Sequence, residues 1–179
     1  MITASAACLT RSEESPEATS GDPPTSTTPA PTPVEPSHGK IALPSLEVEG
    51  SPGGLVHLEA DARATILYFF ATWCPPCGPE MEHLGTVRQR FDTDVLALRS
   101  ITPEIDEEAV EQFWREYDGS WPVLLDPGAR AAQEYNVATI PTMVVLAADG
   151  TEIDRETGRI GETALTAAVE NALERSEQE

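Results

Sequence analysis

Lysine is almost missing from this chain: of 179 residues only Lys40 carries an ammonium, and 11 basic residues stand against 31 acidic ones. From residue 40 onward, 26 acids and 10 bases leave a net charge of −16, so the imbalance belongs to the patterned part of the chain. Such a surface repels polyphosphate, and nucleic-acid binding through phosphate contacts is not expected. Its self-repulsion is screened within about 10 Å in 0.1 M salt and about 3 Å in 1 M. An acidic surface almost stripped of lysine is therefore read as the mark of a salt-loving source; a merely acidic mesophilic protein is the alternative. Cysteine is scarce too, with three residues, which excludes a small fold stapled by disulfides. No apolar run approaches the roughly 18 residues of a membrane-spanning helix. A second C-x-x-C and an H-x-x-x-H are also lacking, so a four-ligand zinc site has no ligands; no metal and no cofactor is expected.

What the chain does have divides sharply. Residues 11–38 hold 7 proline, 10 serine or threonine and 5 acidic residues in 28 positions. Little there could offset the entropy of ordering, so residues 1–40 are expected to be a disordered tether. Apolar patterning starts near Ile41, which gives a single expected domain over 41–179.

Within that domain strands and helices alternate. Leu55–Leu58 reads as a short strand, and Ala64–Ala71, an unbroken apolar run, as a buried central one. A helix is expected after Cys77, with Met81, Leu84, Val87 and Phe91 on one face. Val95–Ile101 and Val123–Leu125 read as strands, Asp106–Tyr117 and Ala129–Tyr135 as helices. Asp149-Gly150 marks a hairpin between Thr142–Ala147 and Glu152–Glu156, and a last helix covers about Glu162–Leu173. This order defines an α/β fold with a mixed central sheet flanked by helices.

The chemistry centres on Trp73-Cys74-Pro75-Pro76-Cys77. A C-x-x-C pair between a buried strand and a helix puts Cys74 where unpaired N–H groups and the helix dipole favour a thiolate. Cys77, one turn further, is close enough to close a disulfide and better shielded. Pro75 and Pro76 suit the turn and the first helical position. Half of a zinc site, a structural disulfide or two inert thiols are the competing readings; the zinc site lacks its other ligands, and a structural disulfide does not call for this strand–turn–helix setting. His83 reads as a surface histidine, and Trp114 and Trp121 as core aromatics.

Residues 64–84, ATILYFFATWCPPCGPEMEHL, resemble the active-site segment of the thioredoxin superfamily, more narrowly the TlpA/ResA-like membrane-anchored thiol–disulfide oxidoreductases. A second match is Tyr135–Thr142, with its Ile140-Pro141-Thr142. The resemblance covers roughly residues 41–175. It implies a thioredoxin-like fold with an extra strand and helix between the active-site helix and the Ile140-Pro141 segment. It further implies a cis Pro141 facing Cys74 and Cys77, and Ile140 backbone groups that pair with an extended substrate. Trp73 would line the docking surface beside Pro75 and Pro76. The chain departs from the pattern at Tyr68, where thioredoxins carry a buried aspartate, and at Gly78-Pro79, which is expected to loosen the first helical turn. Glu80 matches an acid implicated in proton transfer for the second cysteine; the alternative is a solvated first-turn acid facing the helix dipole.

The function implied is a protein disulfide reductase cycling between a Cys74/Cys77 dithiol and disulfide. Its expected partners are protein thiols and disulfides and a membrane thiol carrier as electron donor, with cytochrome c maturation as one use. The chain is expected to be a monomer. A disulfide-forming oxidant and a copper-handling protein are the alternatives; Ala71, where peroxidase sites use threonine, argues against a peroxidase. Cys8 follows Ser5-Ala6-Ala7, which resembles the end of a lipobox, though the seven residues before it form no signal peptide. A lipid-anchored Cys8 would place the domain outside the cell membrane. A free thiol on a cytoplasmic protein is the alternative.

Overall fold

The computed structural model describes residues 41–59 and 62–177. The expected tether over 1–40, with Cys8, lies outside the described residues.

The chain enters through four short strands, β1 (Ala42–Pro44), β2 (Glu47–Val48), β3 (Ser51–Pro52) and β4 (Leu55–His57). They pair antiparallel as β1 with β4 and β2 with β3. Then follow β5 (Ala64–Phe69), α1 (Cys77–Arg88), β6 (Leu96–Thr102), α2 (Glu107–Glu116), β7 (Val123–Leu125), α3 (Arg130–Glu134), β8 (Thr142–Ala147), β9 (Glu152–Thr157) and α4 (Glu162–Ser176). The main sheet has the order β7-β6-β5-β8-β9. β6 runs parallel to both β5 and β7, whereas β8 runs antiparallel to β5 and β9 to β8. This is the mixed α/β sheet of the thioredoxin-like fold, with β6, α2, β7 and α3 between α1 and β8.

Every residue of β5 is buried, because the strand is central and both its faces are covered. Ile66, Tyr68 and Phe70 pack with Leu84 and Val87 of α1, Phe113 and Trp114 of α2, and Leu165 and Val169 of α4. Leu67 and Phe69 point the other way, toward Leu43, Leu58, Ala131 and Tyr135. Each such side chain contributes about 1.5–3 kcal/mol on full burial, so β5 is a firmly held platform. The active-site segment leaves from its end.

Element ends follow local chemistry. Asp106 caps α2 by accepting the Ala109 N–H at 3.2 Å. The buried Asp126 carboxylate accepts the N–H groups of Arg130, Ala131 and Ala132 and so starts α3. At the β8–β9 hairpin Gly150 has φ +84°, a region open to glycine, and Asp149 accepts the Thr151 N–H at 2.8 Å. Gly78-Pro79 does not break α1, which is continuous from Cys77 to Arg88. In the first turn a missing N–H loses no helical bond.

Candidate active site

β5 ends at Phe69, and the Phe70 N–H still reaches the Ile101 carbonyl at 3.0 Å, so the chain leaves the sheet in a fixed direction. Two tight turns follow: the Cys74 N–H donates to the Ala71 carbonyl at 3.2 Å and the Cys77 N–H to the Cys74 carbonyl at 3.0 Å. Pro76 is the N-cap of α1, and Cys77 is its first helical residue. This corrects the expectation that Pro76 would open the helix and Cys74 would lie in its N-terminus. A Cys77 N–H turned back onto Cys74 makes an i→i+3 turn first, and the α-helix begins after it.

Cys74 and Cys77 form a disulfide with their Cα atoms 5.4 Å apart. Cys77 is fully covered, whereas Cys74 keeps 5% of its surface in contact with solvent. Trp73 beside them is 69% exposed, a large apolar side chain left open to a partner. Pro75 is exposed and Pro76 half-buried. The peptide bond between Ile140 and Pro141 is cis. Thr142 pairs with Phe69 in the β5–β8 register, so Pro141 lies at the end of the sheet from which the Ala71–Cys74 segment departs. Pro141 is buried and Ile140 half-buried.

Glu80 is fully buried, which rules out a solvated first-turn acid. Three residues on from Cys77, it lies on the same face of α1, one turn deeper. Its Oε2 accepts the Ile160 N–H at 3.1 Å, while Oε1 is buried without a hydrogen bond and lies 3.6 Å from His83 Nδ1. Burial pushes the carboxyl above its ordinary proton affinity, opposed by the Ile160 N–H, by His83 and by Arg159. A buried acid held this way, one helical turn on from Cys77, can take or release a proton. Tyr68 takes the place of the buried aspartate, and its hydroxyl donates to the Cys77 carbonyl at 2.9 Å. Burial, with the Glu80 charge added, drives the phenol far above its ordinary range, so it remains protonated.

His83 is not the surface histidine read from the sequence. Its side chain is 30% exposed and Nδ1 sits 2.9 Å from the Ile160 carbonyl. The segment ahead of α4 also reaches the Ile140-Pro141 bend, because the Gly158 N–H donates to the Pro141 carbonyl at 2.8 Å. One short stretch, 158–160, thus ties Pro141 to Glu80 and His83. Gly78 has its own reason: a Cβ there would lie 2.3 Å from the Tyr117 ring.

Glu104 went unnoticed in the sequence. Its carboxylate accepts the Thr72 N–H at 2.8 Å, the Thr72 hydroxyl at 2.7 Å and the Thr102 hydroxyl at 3.0 Å. It therefore clamps the segment just ahead of Trp73 and Cys74. The available signal was position: an acid two residues past the carboxyl end of β6, the strand beside β5, where the functional loops of parallel sheets gather. Among the described residues no group of three or more histidine, cysteine, aspartate or glutamate side chains could hold a metal.

A buried C-x-x-C disulfide at the start of a helix, on a mixed α/β sheet with a cis-proline bend at the same end, defines a thioredoxin-fold thiol–disulfide oxidoreductase. The Redoxin family profile matches residues 36–173, and the chain belongs to that family, on its TlpA/ResA-like branch. It is 27% identical over 121 residues to the thiol-disulfide oxidoreductase ResA of Bacillus cereus, covering 67% of this chain and 69% of the relative. It is 30% identical over 96 residues to the sporulation thiol-disulfide oxidoreductase A of Bacillus subtilis, covering 52% of this chain and 58% of that protein. The structure of a thiol-disulfide oxidoreductase from Bacteroides fragilis shares the fold with a TM-score of 0.62 at 24% identity, over 74% of this chain and 96% of the other.

Proposed function

We propose that this oxidoreductase is an extracytoplasmic protein disulfide reductase in which Cys74 attacks and Cys77 resolves. The observation that carries the assignment of roles is the unequal burial of the two cysteines, Cys74 5% exposed against 0% for Cys77. A substrate disulfide meets Cys74 first, and Cys77 reacts only within the mixed disulfide. Glu80, buried one turn behind Cys77, takes the proton that Cys77 must lose. Trp73, Pro75 and Pro76 form one wall of the docking surface; Ile140 and Pro141 form the other, with Ile140 offering backbone groups to an extended substrate. That surface is open, whereas a cleft of about 460 Å³ elsewhere is lined by Val48, Glu49, Trp114 and neighbours and includes neither cysteine. An open surface favours a protein substrate over a small molecule.

The electron donor is read as a membrane thiol carrier and one use as reduction of apocytochrome c cysteines before haem attachment. Residues 1–40 are read as a tether from a lipid-anchored Cys8, and 41–179 as the working domain. A flexible tether of some 30 residues would reach roughly 30 Å, enough to meet partners at the membrane. Mass spectrometry of the membrane fraction decides the anchor, since an unmodified Cys8 peptide there refutes it. The acidic surface is read as an adaptation to high salt, and an unfolding midpoint that does not fall in dilute salt refutes that.

The deciding experiment uses two variants at native salt. Cys74→Ser is expected to abolish insulin reduction, and Cys77→Ser to accumulate mixed disulfides with its partners. Wild-type activity in Cys74→Ser overturns the assignment. A reduction potential near about −270 mV supports a reductant, and one near about −120 mV an oxidant.

A further inference from the structure

Both backbone groups of Ile160 are held by side chains of α1: its N–H by Glu80 and its carbonyl by His83. A carbonyl only accepts, so the imidazole nitrogen that faces it, Nδ1, carries a proton, and Nε2 is the nitrogen that gains or loses one. The same Nδ1 lies 3.6 Å from the unbonded Oε1 of Glu80. We propose that His83 is a positioning residue for the redox reaction: its imidazolium, anchored on the Ile160 carbonyl, keeps the buried Glu80 carboxylate ionised and ready to take the Cys77 proton. This rests on the reading that Glu80 is the proton acceptor.

The groups around Glu80 leave few other sources of that control. Tyr68, from β5, is a neutral donor committed to the Cys77 carbonyl. Cys77 itself lies one turn earlier on α1. Arg159, from the segment before α4, acts on Glu80 by charge alone, and the Ile160 N–H is fixed and uncharged. Of these, His83 stands 3.6 Å from the unbonded Oε1 of Glu80 and can carry a positive charge there. Burial raises the proton affinity of Glu80, and a positive charge on the imidazole opposes that shift. Its side chain is 30% exposed, so protons reach it from solvent, while Glu80 is sealed.

The step it serves balances as follows. In the mixed disulfide, the Cys77 S–H passes its proton to the Glu80 carboxylate. The Cys77 sulfur attacks Cys74, the Cys74–Cys77 bond forms, and the bond from Cys74 to the partner breaks. The partner leaves as a thiolate that is protonated by water. The dithiol has lost two electrons and the partner disulfide has gained them.

Stopped-flow mixing of the reduced full chain with an aromatic chromogenic disulfide, from pH 4 to 9, reads the resolution rate as the second equivalent of coloured thiolate. Wild type is expected to show an acid limb, and Glu80→Gln to lack it. His83→Phe and His83→Asn are both expected to move the limb to higher pH, lowering the rate on it about threefold to tenfold, the scale of losing one opposite charge beside a part-exposed pair. Asparagine keeps a donor for the Ile160 carbonyl but no charge. A wild-type limb in His83→Asn overturns the proposal, whether or not His83→Phe shifts, because it leaves only a structural contact. A limb that survives Glu80→Gln instead overturns the proton-acceptor reading beneath it. Carboxyl carbon NMR of Glu80 in the oxidised protein gives a second measurement: its titration is expected at higher pH in His83→Asn, and an unmoved midpoint refutes the charge coupling.

Discussion

Replacing Tyr68 by phenylalanine separates structure from chemistry at the position where thioredoxins keep an acid. The change keeps the ring, which is fully buried and stacked on Phe70 at 5.7 Å, and deletes the hydroxyl that donates to the Cys77 carbonyl at 2.9 Å. That carbonyl also lies in the first turn of α1, in reach of the Met81 N–H four residues on, so it is not orphaned by the change. The larger penalty for an unsatisfied buried group therefore does not apply. What is lost is one neutral hydrogen bond, about 1 kcal/mol. In a domain of this size that lowers the thermal midpoint by about 4 °C. The measurement is thermal and urea unfolding of the oxidised protein, with an unchanged urea slope expected because the buried area is the same. Burial and the Glu80 charge hold the phenol protonated throughout, so the pH–rate profile is expected to coincide with that of wild type. An unaltered midpoint, or a displaced pH limb, would refute the reasoning.

Glu80→Gln is expected to become progressively more stable relative to wild type as pH rises. The folded carboxyl has a raised proton affinity, so its favourable contribution is complete below the unfolded value of about 4.3 and is lost as pH climbs through the folded one. Every tenfold gain in proton affinity on folding corresponds to about 1.4 kcal/mol, and a stability difference that stays flat from pH 4 to 8 would contradict the burial argument. Glu104→Ala is expected to free the Thr72 amide, raising its hydrogen-exchange rate, and to destabilise the domain by about 1–3 kcal/mol. Equal protection of that amide in variant and wild type would show that the carboxylate clamps nothing.

The features that were legible in the sequence share one property: each depends on a local pattern. The β5 run, the helical spacing of Val110, Phe113 and Trp114 in α2, and the Asp149-Gly150 hairpin all state their structure within a few residues. The cysteine pair was legible for the same reason. What stayed hidden joins residues far apart in the chain. Glu104 is 32 residues from Thr72, and His83 is 77 from Ile160; neither pairing leaves a periodicity. The short strands β1 to β3 were missed because two or three residues carry no pattern and their pairing is set by contact. Glu80 was readable as an acid near a cysteine, but its burial depends on α4 and the 158–160 segment closing over it.

The exposed indole next to the cysteine pair has an optical consequence. The chain contains three tryptophans; Trp114 and Trp121 sit in the core and Trp73 projects into water beside the disulfide. Buried indoles emit to the blue and hydrated ones to the red, and a disulfide quenches a neighbouring indole more strongly than a dithiol does. In the folded protein the red part of the emission, which comes from Trp73, is therefore expected to brighten when the disulfide is reduced, without a dye.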